Sequence, residues 1–560
     1  MARVSGSHLI GKALKLEGVT NVFTLAGDHI LPVLDVMADQ NFRFIDTRHE
    51  QAAVHMADAW GRITGQPGVC MYTTPGFANA IPGLTNALHS ESPVISIAGC
   101  ADLAELGRGA MQEIDQVGMA VPVTKGSFMV HDARRIPDFI ARAVRLAFSG
   151  RRGPVHLTIP MDVQEQEVDE GEVAFYNPDE YRPSESMLAN PEQVRQAIAL
   201  LRHARRPFII VGNAAGYALS GEALQRFVET THLPALTEEQ ARGLIPDDHP
   251  YAFGFFERGL NQAASKVREA DLVVLLGRKQ DYTIGFCRPP NVAADAKIIQ
   301  VDPSPSEIGR NRGVAVGIVG DVSSVLEQLT REAAAYSWKD LHWLNDLRAA
   351  RAAQAEWADG LARAETPMHA MFVHKTVESM LRPDDCLVFD GGDFCHFGRS
   401  LLPARQPKHW FYVSGLGMLG SSVPTALAAK VAYPESRVIM LTGDGAFGFN
   451  GMEFDTAVRH NLNIVAILGN DSAWGIDRQI QLGLYGRPVA TDLLQTHYEQ
   501  VVQGLGGYGE FVDQPEDLKP AIQRAFDSGR PALVNVVVQR AISPRAEAAI
   551  ARRQAASAKK

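Results

Sequence analysis

Short β-branched runs alternate with alanine-rich amphipathic stretches along this chain. That alternation restricts it to repeated βα units wound around parallel sheets. Runs at 21–25, 69–73, 94–98 and 155–159 form one set. Those at 207–211, 272–276 and 297–301 form a second, and those at 387–389, 438–441, 464–468 and 532–538 a third. Polar segment 167–183 reads as a linker between the first two sets, and 333–365, rich in Ala, Arg, Glu and Trp, as a helical connection to the third. The expected fold is α/β, with three domains that are each a parallel sheet flanked by helices. Their limits are placed at 1–166, 184–332 and 366–545, with a tail over 546–560 that frays or folds over a site as a lid.

The 560 residues can fill two to four domains, and 46% hydrophobic with 21% charged residues is the balance of a globular protein in water. A net charge of -10 argues against nucleic acid as a general partner, while leaving room for a local basic pocket. Five scattered cysteines without a CxxC spacing support neither a disulfide framework nor a zinc site. The N-terminus has no apolar signal core, and no run reaches the roughly 20 apolar residues of a membrane span. The cytoplasm is the default compartment, with no membrane as a partner.

Chemistry concentrates at two places. After the run Val438, Ile439, Met440, Leu441 come Gly443, Asp444, Gly445 and Ala446, and later Gly469, Asn470 and Asp471 follow another apolar run. A carboxylate in a glycine turn, paired with a second oxygen ligand, suits a magnesium ion held against a diphosphate. Gly443 and Gly445 admit the phosphates, and a helix beginning near Gly451 would point its N-terminus at them. Near the other end, a strand at 42–45 runs into Asp46, Thr47, Arg48, His49 and Glu50 and then an alanine-rich helix ending near Arg62. Glu50 thus sits at the carboxyl edge of a sheet, where side chains enter a cleft.

With an early Arg-His-Glu and a late Gly-Asp-Gly followed by Asn-Asp, nearly the whole chain resembles the thiamine diphosphate enzymes of the acetolactate synthase, benzaldehyde lyase and 2-hydroxyacyl-CoA lyase superfamily. The resemblance implies an N-terminal pyrimidine-binding domain, a central nucleotide-binding-like domain and a C-terminal domain for the diphosphate and magnesium. It implies that Glu50 from one subunit serves a diphosphate site in another, so a homodimer is the minimum and a homotetramer is expected. Glu50 would be the acid hydrogen bonded to the aminopyrimidine ring, and Leu419 the apolar side chain beneath the bent cofactor. Asp444, Asp471 and the carbonyl of Ala473 would hold the metal, with Asn470 as the alternative to Asp471. Many relatives carry asparagine where this chain has Asp471. Gly392, Asp393 and Phe394, with Gly443, Gly445, Ala446, Thr73 and Asn79, complete the implied cofactor contacts.

Around the reacting carbon, His29 resembles the Gly-x-His-Ile histidine of the lyases, and Gln112 their carbonyl-contacting glutamine. Trp474, Met111 and Asp477 would line the substrate pocket. The closest family likeness is to the acetolactate-synthase-like 2-hydroxyacyl-CoA lyases, carried by 390–394, 453–456 and 458–460. It implies reversible cleavage of a 2-hydroxyacyl-CoA, or an acyloin, to formyl-CoA and an aldehyde or ketone. Acetolactate synthesis from a 2-oxoacid such as pyruvate is the alternative. Arg399, Arg405, Lys408 and His409 form either a CoA-binding cluster or a solvated face. The central domain, with Gly277-Arg278 and Asp302 ending its strands, would hold ADP or FAD or stand vacant.

Overall fold

Strand order separates the three sheets into two kinds. The computed structural model describes residues 3–182 and 187–557. Positions 1, 183, 184 and 558–560, which fall in the limits named above, lie outside the described residues. The first sheet contains β2 (Asn21–Thr24), β3 (Arg43–Asp46), β4 (Gly68–Tyr72), β5 (Val94–Cys100), β6 (Ser127–Met129) and β7 (Val155–Pro160), in the order β3-β2-β4-β5-β7-β6. All its pairs are parallel. Beside it, β1 (Arg3–Ser5) and β8 (Glu167–Asp169) make a two-stranded antiparallel ribbon.

The second sheet contains β9 (Pro207–Val211), β10 (Ala235–Thr237), β11 (Ala252–Phe255), β12 (Leu272–Leu276), β13 (Lys297–Asp302) and β14 (Val316–Val319), ordered β11-β10-β9-β12-β13-β14. The third contains β15 (Cys386–Phe389), β16 (Trp410–Tyr412), β17 (Val438–Gly443), β18 (Ile464–Asn470), β19 (Tyr508–Val512) and β20 (Ala532–Val537), ordered β16-β15-β17-β18-β20-β19. Numbered within themselves, the first and third sheets share the order 2-1-3-4-6-5, and the second follows the dinucleotide-fold order 3-2-1-4-5-6. Each has a point where the order reverses, which is where ligands enter open α/β sheets.

The central strands were legible because burial on both faces makes them continuous apolar runs. β2, β4, β5, β7, β9, β12, β13, β15, β17, β18 and β20 all overlap the runs read from sequence. Several short strands, such as β6 and β19 at sheet edges and β10 within its sheet, lack that signal. Segment 167–183, read as a linker, is a correction: it holds β8, whose Val168 pairs with Val4, and a short helix Pro178–Tyr181. Three polar-flanked residues carry no readable alternation. Within 333–365 the expected connection is the helix Trp343–Leu361. A helical turn begins at Gly451 as expected, running Gly451–Glu453 into the helix Phe454–Arg459, and directly before it lies one more helix, Asp444–Asn450. Its glycines and asparagine are poor helix formers, so packing rather than propensity sets its start. The tail is helical over Pro544–Ser557, and Ile550 packs at Gly483 of the helix Gly475–Tyr485.

By its contacts the chain divides into two units. One joins 1–185 with 414–435 and 450–462, and the other holds the rest. In the first unit, the helix Glu50–Thr64 packs against the helices Thr74–His89 and Ser422–Ala432. An ion pair is buried in that contact. Asp58 Oδ1 lies 2.9 Å from Arg62 Nε in the ion pair, and its carboxylate accepts from Arg62 Nη2 at 3.4 Å, from Asn86 Nδ2 at 2.8 Å and from Ser92 Oγ. Asp58 is fully buried and Arg62 is 3% exposed, so neither has water as a substitute partner. Removing one member of such a pair strands the other charge and costs about 3–5 kcal/mol. Asp58→Ala is therefore expected to lower the thermal unfolding midpoint well below that of the parent protein, while an exposed change such as Glu516→Ala leaves it unmoved.

Candidate active site

The reversal point of the first sheet lies between β2 and β4, and it carries His29 and Thr73. His29 is 1% exposed and its Nδ1 lies 2.8 Å from Thr73 Oγ1 and 3.4 Å from Thr74 Oγ1. The approach is tight: a Cβ on Gly27 would come within 2.4 Å of Thr73, and one on Gly99 within 1.9 Å of the His29 carbonyl. Burial lowers the His29 pKa from its ordinary value, against the pull of Asp28 and Asp102. The imidazole is neutral near pH 7, able to donate at one nitrogen and accept at the other.

Glu50 opens the helix that follows β3 and is 7% exposed. Asn79 Nδ2 donates to its Oε2 at 3.0 Å. The carboxylate can rest on the Thr74–His89 helix because residue 76 has no side chain, since a Cβ there would stand 2.7 Å from Glu50 Oε1. The turn before Glu50 is held from the same unit. Glu453 accepts from the Arg48 backbone N–H at 3.0 and 3.1 Å, and Arg459 and His460 both bind Asp46. The 453–460 motif therefore anchors the loop that aims Glu50. Leu419 is half-buried in a turn bounded by Gly417 and Gly420, both with positive φ, and Asn450 Nδ2 donates to the Gly420 carbonyl at 2.9 Å.

In the second unit, the reversal point between β15 and β17 carries Gly392, Asp393, Gly443 and Asp444. Gly392 adopts φ 93 with open space where a Cβ would project, as a loop that admits phosphate oxygens requires. The helix Asp393–Leu401 starts directly after it. Asp444 is 2% exposed, and its Oδ2 is buried without a hydrogen-bond partner, as is Oδ2 of Asp393. Burial pushes the Asp444 carboxyl up to about 6, against the Gly445 and Ala473 N–H groups. Burial and then the Asp444 charge push Asp471 up to about 7. A buried acid beside a half-buried one that it pushes up calls for a cation.

The Asn470 amide is already committed. Its Nδ2 donates to the carbonyl of Thr496 and to Asn535 Oδ1, and its Oδ1 accepts from the Ser472 N–H. Ser472, at φ 54, turns the chain so that Arg540 can clamp the carbonyls of Asp471 and Ser472, both at 2.9 Å. Ala473 meets the two carboxylates through its N–H. Among the described residues no three His, Cys, Asp or Glu side chains gather as a metal cluster. Asp444 and Asp471 could hold magnesium only in the mode where two carboxylates are completed by phosphate oxygens.

Three family models cover the chain: the thiamine pyrophosphate enzyme N-terminal TPP binding domain over residues 4–119, the central domain over 194–329 and the C-terminal TPP binding domain over 390–536. The chain belongs to the thiamine pyrophosphate enzymes. It is 34% identical to the acetolactate synthase large subunit IlvG of Mycobacterium tuberculosis over 547 residues, 96% of each chain. It is 31% identical to 2-hydroxyacyl-CoA lyase 1 of Homo sapiens, covering 96% of this chain and 95% of that one. Oxalyl-CoA decarboxylase of Escherichia coli is 31% identical, with 95% and 94% covered. The TPP-binding domains thus contain both reversal points described above.

Other expected residues of this thiamine pyrophosphate enzyme fall in varied settings. Gln112 and Met111 are exposed on an irregular loop, Gln112 at φ 57. That loop is tied by Glu113, which accepts the N–H groups of Gly107, Gly109 and Ala110. Trp474 lies over Gly445, where a Cβ would be 2.8 Å from its ring, and meets Phe449 edge-on. Ala446 is buried, and Phe394 packs on Gly469. Asp477 is exposed in the first turn of Gly475–Tyr485. The basic residues do not form one face: Arg399 and Lys408 are buried, Arg405 is exposed, and His409 Nδ1 donates to the Pro407 carbonyl.

At the central reversal point, between β9 and β12, Arg278 lies across Gly212, its Cδ 2.7 Å from where a Cβ would be. It pairs there with Glu238 and Asp281. ADP or FAD would have to displace that buried network, so these residues do not fit a dinucleotide. Reading the sequence missed Gly76, Asn450 and Arg540, whose value lies in distant contacts that no local pattern records. Gly76→Ala should leave the unfolding midpoint near the parent value, because the flexible end of Glu50 can yield. Displacing that carboxylate is expected to lower the rate of any thiamine-dependent turnover by about 100-fold, read in steady-state assays.

Proposed function

We propose that this enzyme is a thiamine diphosphate-dependent lyase and carboligase that cleaves a 2-hydroxyacyl-CoA, or an acyloin, to formyl-CoA and an aldehyde or ketone. The observation that carries the reading is His29, buried and neutral at the reversal point. Breaking the bond beside a hydroxyl-bearing carbon requires a base for the hydroxyl proton, whereas loss of carbon dioxide from a 2-oxoacid does not. When bound, thiamine diphosphate supplies the sink for the electron pair of the broken carbon–carbon bond.

The chain's own residues do the rest. His29 takes the hydroxyl proton and returns it to the departing product. Glu50, steadied by Asn79, holds the pyrimidine nitrogen and shares a proton with it. Asp444 and Asp471, with the Ala473 carbonyl, would hold magnesium at the diphosphate. Leu419 would support the bent cofactor. Arg399 supports a CoA thioester: it is 4% exposed, faces the rings of Tyr412 at 4.7 Å and Phe255 at 5.7 Å, and its Nε has no hydrogen-bond partner. A CoA phosphate would supply the missing anion.

A second reading, decarboxylation of pyruvate with carboligation to acetolactate, is favoured by the acetolactate synthase relatives, which match end to end at 34% identity. The deciding experiment gives the purified protein thiamine diphosphate and magnesium, then pyruvate, benzoin and a short 2-hydroxyacyl-CoA in parallel. Formyl-CoA or aldehyde without carbon dioxide is the expected outcome. Carbon dioxide and acetolactate from pyruvate alone would replace the first reading with the second. Glu50→Gln is expected to cut turnover of every accepted substrate by at least about 100-fold. Arg399→Ala should raise KM for the CoA thioester about 10-fold or more. Light scattering is expected to return a homodimer or homotetramer, since superfamily sites are shared between subunits, and a monomeric active enzyme would contradict the scheme.

A further inference from the structure

A continuous buried hydrogen-bond chain runs through the first sheet and ends at His29. Its members are Tyr72, Ser96, His156, Thr158, Gln116, Thr74 and His29, all between 0% and 2% exposed. Gln116 fixes its direction. The Gln116 Nε2 lies 3.0 Å from the Gly99 carbonyl, which can only accept, so the amide nitrogen must face that way and toward Thr74 Oγ1 at 2.9 Å. The Gln116 Oε1 therefore faces Thr158, whose hydroxyl donates to it at 2.9 Å.

Each remaining proton is then determined. Thr158 has spent its only proton, so it must accept from His156 Nε2 at 3.0 Å. Burial pulls the His156 pKa down to about 3, so the ring is neutral and its Nδ1 is bare. Ser96 donates to that Nδ1 at 2.9 Å and accepts from the Tyr72 hydroxyl. On the other side, Thr74 receives the Gln116 N–H and sends its own proton to the Gly99 carbonyl at 3.1 Å. What Thr74 presents to His29 Nδ1, 3.4 Å away, is a lone pair.

We propose that Thr74, its proton held by the Gly99 carbonyl, is a positioning residue that sets the tautomer of His29, holding the proton on Nδ1 and leaving Nε2 bare as the base. A bare Nδ1 would accept from Thr73 but face the Thr74 lone pair and be repelled by it. A protonated Nδ1 donates to Thr73 at 2.8 Å and is favoured by Thr74 as well. Second-layer hydrogen bonds select between the two ring nitrogens in this way generally. Gln116 also opens the helix Gln116–Ala120, so the same side chain pins the end of the loop that carries Met111 and Gln112. The role of Nε2 as base rests on the proposed lyase reading, whereas the tautomer itself does not.

The test is the imidazole nitrogen spectrum of the cofactor-loaded, substrate-free enzyme with isotope-labelled histidine, His29 being assigned by its absence in His29→Gln. The expected result is a proton on Nδ1 in the parent protein. In Thr74→Val the population should shift toward Nε2–H, kcat should fall about 10-fold, and KM should stay within about twofold. Thr74→Ala removes the same lone pair and should shift the tautomer likewise, serving if Thr74→Val does not fold. A parent protein with Nε2–H, or a tautomer unmoved in both variants, overturns the proposal. An Nδ1–H parent that yields no lyase product discards the proposed reaction while upholding the positioning role.

Discussion

The contact between Glu50 and Gly76 is the constraint on which the first half of the site depends. A carboxylate buried against a helix needs both room and a donor, and here the missing side chain at 76 supplies the room and Asn79, one turn on, supplies the donor. The glutamate's direction is set further back. Asp46, Arg48 and Glu453 lock the turn leading into its helix, and Asp58 with Arg62 locks the helix to its neighbours. The Glu50 carboxylate is thus placed by elements on both flanks rather than by its own rotamer alone.

The second half is organised by repulsion. The Asp444 charge raises the cost of ionising Asp471, and the surrounding backbone is arranged to keep them together. Asn470 and Arg540 hold the 470–473 turn, and the helices at Asp393, Asp444 and Gly475 all begin at this end of the sheet. Helix N-termini carry partial positive charge, which suits a diphosphate and compensates the acids when a cation is shared. The central sheet has the same kind of crevice but fills it with Arg278, so similar topology yields a structural core in one place and a site in two others.

Much of this was legible in the residues themselves. Fully buried parallel strands announce themselves as apolar runs, which is why the three sheets and the positions of Glu50, Asp444 and Asp471 could be read in advance. Edge strands such as β6 and β19, and the β8 ribbon, could not, because three to five half-buried residues carry no period. The helix Asp444–Asn450 was not legible because glycine-rich local sequence argues for a turn until its packing is known.

By itself, the sequence determined the α/β architecture, the family and the residues that end the ligand-binding strands, since these depend on local patterning of apolar, glycine and acidic residues. Tertiary structure alone decided that Asn470 spends its amide on Thr496 and Asn535, that Arg278 closes the central crevice, and that Gln116 reaches His29 through Thr74. Each of these turns on which atom a side chain spends its hydrogen bonds on, and those partners are distant in the chain, where no spacing rule connects them.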